Sequence, residues 1–143
     1  MKVVIQRSKN SSVSVNNKIV GQITKGLVLL VGFTEGDTIE DIDYMINKII
    51  NLRIFDGTPE QSVLDVNGEI LAISQFTLYA NAKKGRRPSY VAALANSEAK
   101  IMYELFVERL SKNIKVETGI FGADMEVNII NDGPFTIILD SKE

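Results

Sequence analysis

The chain has 143 residues, 45% of them hydrophobic and 24% charged, with a formal net charge of −2. That length suits one domain, residues 1–143, with a core of its own, and the charge offers no global attraction to nucleic acid, so any RNA contact has to rest on a local basic patch. Cysteine and histidine are both absent, which removes disulfides, Ser-His and Cys-His nucleophile systems, and any thiolate or imidazole metal site. An enzyme built from these residues works with hydroxyls, amides, carboxylates, Lys, Arg, backbone groups or the substrate itself, and that favours an already labile bond. Met1–Arg7 turns polar too soon for a signal peptide, and the apolar run Leu27–Val31 is far short of a membrane span. The expectation is a cytoplasmic protein with no membrane partner.

In chain order, Lys2–Arg7 alternates weakly as a strand. Ser12–Val15 and Lys18–Ile23 flank Asn16-Asn17, a hairpin turn. Leu27–Val31 reads as a central strand buried on both faces. Thr38 opens a helix with Glu40 and Asp41 in its first turn, and Ile39, Ile42, Met45, Ile46, Ile49 and Ile50 give it one apolar face. Leu52–Phe55 reads as a short strand before the loop Asp56-Gly57-Thr58-Pro59. Ser62–Val66 is expected to pair through Asn67-Gly68 with Glu69–Phe76. After a polar loop, Tyr79–Pro88, a second helical region covers roughly Ser89–Lys112, with Ile101, Leu105 and Leu110 as core candidates and a break or cap near Ser97 and Lys100. Val116–Gly119 returns to strand. Met125–Ile130 and Phe135–Leu139 are expected to form a last hairpin across Asn131-Asp132-Gly133-Pro134. The fold class is α/β: a compact single domain, a mostly antiparallel sheet or open β-barrel with two helical segments packed on it.

Three segments carry candidate chemistry. Ser74-Gln75-Phe76-Thr77-Leu78 brings hydroxyls and an amide to the end of an apolar strand, where side chains and free N–H groups either meet a ligand or simply cap the strand. Lys83, Lys84, Arg86 and Arg87 put four cations in five positions, suited to phosphate contact or to a solvated loop. Tyr79 and Tyr90 flank that loop, as base-stacking groups or as anchors. Gly133-Pro134 sits where a simpler Asn-Gly turn would have sufficed, and an X-Pro bond is the common setting for a cis peptide.

Ser74-Gln75-Phe76-Thr77 together with Asn131-Asp132-Gly133-Pro134-Phe135-Thr136 resembles the paired motifs of the D-aminoacyl-tRNA deacylases. Val4–Arg7, Lys84–Ser89 and Thr118–Met125 also look like family segments, so the likeness runs in order over essentially the whole chain. The stretch Phe55–Val63 is shorter than the family's, which is expected to alter a surface loop and leave the site alone.

The resemblance implies a homodimer that hydrolyses the ester joining a D-amino acid to the 3′ end of tRNA, and glycine mischarged on tRNA(Ala) as well, without a cofactor or metal. It implies that the N–H groups of Phe76 and Thr77 form an oxyanion site within Ser74–Thr77, Gln75 included. Thr77 is the one candidate protein nucleophile in that motif; the alternative is a water assisted by the substrate's own 2′-hydroxyl. Gly133-Pro134, cis in the family, is expected to enter the opposite subunit's site, its carbonyls facing the pocket, and to exclude L-aminoacyl groups, with Arg7 bracing it. Phe121 and Met125 match an apolar wall around the terminal adenosine, although core packing explains their spacing equally well. Lys83, Lys84, Arg86 and Arg87 would meet acceptor-arm phosphates. Two other readings stay open: a tRNA-end binding module without hydrolysis, and a structural dimerisation domain, which explains neither motif. A metal hydrolase is disfavoured because no Asp/Glu cluster is evident to replace the missing His and Cys.

Overall fold

The computed structural model describes residues 1–143. Five strands form one open mixed sheet in the order β4-β3-β2-β1-β5. β1 (Lys2–Val15) and β2 (Lys18–Gly32) pair antiparallel through Asn16-Asn17, whose φ values of 50° and 63° are those a two-residue hairpin turn demands. The two shorter segments expected after the turn are thus one long strand. β3 (Glu69–Ser74) lies parallel to β2, and β4 (Val116–Thr118) parallel to β3.

α1 (Ile39–Asn51) begins where Thr38 predicts. The Asp41 carboxylate accepts from the Thr38 backbone N–H at 2.8 Å, which satisfies a donor that a helix start otherwise leaves open. Burial opposes ionisation of Asp41, but the Thr38 N–H, Ser141 and Lys142 outweigh it and hold the carboxyl well below the usual carboxylate range. Ile42, Met45, Ile46, Ile49 and Ile50 are buried as the periodicity requires, whereas Ile39 stays exposed. α2 (Asn96–Leu110) is shorter than expected and continuous; its buried residues are Ala99, Tyr103, Phe106 and Leu110, while Ile101 faces solvent.

Strand alternation sorts the core. Val3 and Ile5 of β1, Leu27, Leu29 and Val31 of β2, and Ile70 and Ala72 of β3 pack against both helices. Val13, Ile23, Val28, Leu71 and Ile73 point to the other face and form a second, smaller cluster with Met125 and Val127. The run Leu27–Val31 is buried on both sides of the sheet as its continuous apolarity predicts, each large aliphatic contributing about 1.5–3 kcal/mol.

Three expectations fail. Leu52–Phe55 is no strand: Phe55 exchanges backbone hydrogen bonds of 2.9 and 2.8 Å with Gln61 across a tight loop, and the Ile54 carbonyl is taken by Arg7. Ser62–Asn67 coils into turns because Ser62 and Asp65 satisfy each other's backbone N–H groups at 2.9 and 3.2 Å, a local alternative to a ladder. β3 therefore finds its partners in β2 and β4 rather than in a hairpin.

The last hairpin is the largest correction. Glu126–Asp140 is a single strand, β5, running antiparallel to β1 along its whole length. Gln6 pairs with Thr136 and Ser8 with Asn131, so Asp132, Gly133, Pro134 and Phe135 stand opposite Arg7 alone. The surplus residues leave the ladder as a bulge, where a proline that lacks a donor costs nothing.

Candidate active site

β3 ends at Ser74, and Phe76–Tyr79 forms a single 3-10 turn. The Gln75 N–H still belongs to the sheet, donating to the Val31 carbonyl at 2.7 Å. The first amide bonded within the turn is that of Leu78, to the Gln75 carbonyl at 3.2 Å. The amides of Phe76 and Thr77 lie ahead of that bond, where a helical turn leaves N–H groups without internal partners. Gly32 permits the geometry: a Cβ there would sit 2.9 Å from the Gln75 carbonyl oxygen.

The turn opens onto a cavity of about 330 Å³. Ser74, Gln75 and Phe76 form one side, Phe33, Leu94 and Ala99 another, and Phe121, Met125 and Val127 a third. The lining draws on both core clusters, so the cavity is held by packing on either side of the sheet. Asn96 and Asp124 add polar groups to it. Neither was singled out in the sequence: Asp124 lies inside the family-like segment Thr118–Met125 and could have been found there, but Asn96 falls within the expected second helix and carries no local signal.

The Thr77 hydroxyl accepts a hydrogen bond from the Gln75 side-chain amide at 2.5 Å. An amide does not take up a proton, so this contact orients the hydroxyl without activating it. Phe76 is half exposed and meets Tyr90 edge-on, ring centroids 5.2 Å apart. Tyr79 is an anchor instead: its hydroxyl is buried and Lys2 sits over its ring. Burial, with Asp37, Asp140 and Asp41 nearby, pushes its ionisation up. The basic residues Lys83, Lys84, Arg86 and Arg87 are exposed on a loop closed by paired 2.8 Å backbone bonds between Asn81 and Ser89, and none belongs to an ion pair.

Gly133, Pro134 and Arg7 assemble elsewhere. They lie on β5 and β1 and take no part in lining the cavity within this chain. Arg7 is 5% exposed and reaches the bulge directly, its Nη2 donating to the Gly133 carbonyl at 3.1 Å. The Gly133-Pro134 peptide is cis, as is Thr58-Pro59. Gly133 has no left-handed φ, and a Cβ on it would meet nothing nearer than Asn131 Nδ2 at 3.9 Å. Nothing within this chain requires that glycine.

Comparison with known proteins follows the same residues. The family model of D-Tyr-tRNA(Tyr) deacylase matches residues 4–140. The chain belongs to the D-Tyr-tRNA(Tyr) deacylase family. A D-aminoacyl-tRNA deacylase of Sulfurihydrogenibium sp. (strain YO3AOP1) is 56% identical over all of this chain and 99% of its own length. That of Aquifex aeolicus (strain VF5) is also 56% identical, with the same coverage. Among solved structures, the c-Myc DNA Unwinding Element Binding Protein superposes with a TM-score of 0.91 at 38% identity, covering 98% of each chain. A probable eukaryotic D-amino acid tRNA deacylase shares the fold, with a TM-score of 0.80 at 18% identity over 96% of this chain and 97% of its own. The deacylase-family match spans both the cavity and the bulge.

Proposed function

We propose that this chain hydrolyses the ester of D-aminoacyl-tRNA at the cavity beside Ser74–Thr77. Family membership makes it a D-aminoacyl-tRNA deacylase; the observation that carries the mechanism is the turn that starts at Phe76 on the cavity wall, its first two amides preceding its internal hydrogen bonds. An aminoacyl ester is already activated. Two fixed N–H groups stabilise the oxyanion formed when water adds to its carbonyl, and the 3′-oxygen leaves as the tetrahedral intermediate collapses. The substrate's 2′-hydroxyl lies beside that oxygen and relays the proton. The hydrogen bond from Gln75 to Thr77, with no base to receive the hydroxyl proton, favours this route over a covalent threonine ester. Thr77→Ala is accordingly expected to lower kcat on D-Tyr-tRNA by less than about tenfold. A loss of several orders of magnitude with binding intact would contradict the substrate-assisted route.

Phe121 and Met125 would flank the terminal adenosine, and Lys83, Lys84, Arg86 and Arg87 would contact phosphates of the acceptor end. The protein would act as a homodimer in the cytoplasm. Val4, Leu30 and Ile138 stand in register on the sheet face opposite the helices, and Ile138 is 70% exposed, which suits an apolar contact with a second copy. In such a dimer Gly133-Pro134 of one subunit completes the cavity of the other. A rigid backbone wall there clashes with an L side chain and admits a D centre, and glycine passes because it has no side chain. The unexplained glycine at 133 supports this reading: the space its Cβ would take is kept free for something outside the chain.

The test is hydrolysis of matched D-Tyr-tRNA and L-Tyr-tRNA by the purified protein without added metal. Rapid release from the D ester with the L ester spared is expected. Equal release removes the filter and keeps the hydrolase; tRNA binding without release from either ester contradicts the hydrolase.

A further inference from the structure

Arg7 does more than touch Gly133. Its Nη1 donates to the Ile54 carbonyl at 2.8 Å and its Nε to the Asp132 carbonyl at 3.2 Å, while the guanidinium lies 4.6 Å from the centre of the Phe135 ring. One side chain thus ties the loop after α1 to three residues of the bulge, Asp132, Gly133 and Phe135. A guanidinium carries its donors in a fixed planar fork, so its orientation decides which carbonyls are held.

Two carboxylates reach that fork. Asp56 approaches Nη1 at 3.4 Å but its side chain is 99% exposed, and such pairs contribute little. Asp132 approaches Nε at 3.1 Å, is 35% exposed, and belongs to the bulge itself. Its carbonyl takes the single Nε–H and its carboxylate lies beside that same nitrogen as an ion pair, from the position directly before Gly133.

We propose that Asp132 is a positioning residue for stereoselectivity: its carboxylate fixes the Arg7 guanidinium, which fixes the Gly133 carbonyl. The proposal rests on the reading that Gly133-Pro134 discriminates between D and L esters. The carboxylate's charge, 3.1 Å from Nε, draws the guanidinium onto the bulge while its N–H groups hold the carbonyls, so the carbonyl wall is held to the fraction of an ångström that steric exclusion needs.

The experiment compares kcat/KM on D-Tyr-tRNA and L-Tyr-tRNA for the wild type, Asp132→Ala, Asp132→Asn and Asp56→Ala, with thermal unfolding measured alongside. Asp132→Ala and Asp132→Asn are each expected to lower the D-to-L ratio by about tenfold or more, because both remove the charge, and Asp56→Ala by less than about twofold. If Asp132→Ala does not fold, Asp132→Asn alone carries the test. A discriminating wild type whose ratio survives in the folded Asp132 variants overturns the role of Asp132 and leaves the filter standing. A wild type that does not discriminate overturns the filter, and this proposal with it.

Discussion

Ser74–Thr77 stands at the end of the deeply buried strand β3, whereas Asn131–Pro134 interrupts the exposed edge strand β5. The first stretch is positioned by packing: Ile70–Ile73 beneath it are buried, and a sheet hydrogen bond from Gln75 fixes the start of the turn. The second is positioned chiefly by one buried side chain, Arg7, with only Phe135 of the bulge packed against the core. The contrast teaches where each is vulnerable. The cavity side can be damaged through close backbone contacts such as that at Gly32, and the bulge side through polar contacts made by a residue more than a hundred positions away.

Arg7→Ala gives the largest expected effect. It leaves the buried Ile54 carbonyl without its partner, which costs about 1–3 kcal/mol, and loses the packing of the guanidinium on Phe135 as well. Denaturant unfolding should show that loss, and hydrolysis of D-Tyr-tRNA should fall with it. Unchanged stability would show that the bulge does not depend on Arg7.

Gly133→Ala separates function from stability. The melting temperature should stay within about a degree, since the added methyl meets nothing closer than 3.9 Å in its own chain. Hydrolysis of the D ester should fall about 10–100-fold, the equivalent of a 1–3 kcal/mol steric cost at the site. A stable variant with full activity would remove Gly133 from the reaction.

The smallest effect concerns the basic loop, which belongs to neither stretch. Lys84→Ala with Arg86→Ala should flatten the slope of log affinity against log salt for tRNA by about 0.7–0.9 per lost phosphate contact. An unchanged slope would assign the loop to solvent alone.

Much of the frame was legible in the sequence, because its signals are local. Asn16-Asn17 specifies a hairpin, Thr38 with Asp41 a helix start, and Leu27–Val31 a doubly buried strand. The misreadings have two causes. Asn131–Pro134 has turn chemistry, but whether it turns the chain back or bulges out of a continuing strand is decided by β1 alongside it, remote in sequence. Ser62–Val66 is the reverse case, where a local exchange between Ser62 and Asp65 outcompetes the ladder its pattern suggests. Within the site, the strand end and the Gly-Pro pair stood out, and the resemblance gave Arg7, Phe121 and Met125 their expected places. Asp132 and Ile54 as partners of Arg7 could not be read, since nothing in the order of residues brings positions 7, 54 and 132 together.

If the two stretches meet in one site built from two chains, mixing subunits damaged on opposite sides restores it. Gly32→Ala would disable the cavity side by pressing on the Gln75 carbonyl, and Gly133→Ala the bulge side. Each variant alone should be nearly inactive on D-Tyr-tRNA. Unfolded and refolded together in equal amounts, they should form mixed dimers for about half of the population, each with one intact composite site, and so recover about a quarter of wild-type activity. A mixture no more active than its two components would place the whole site within one chain and contradict the account.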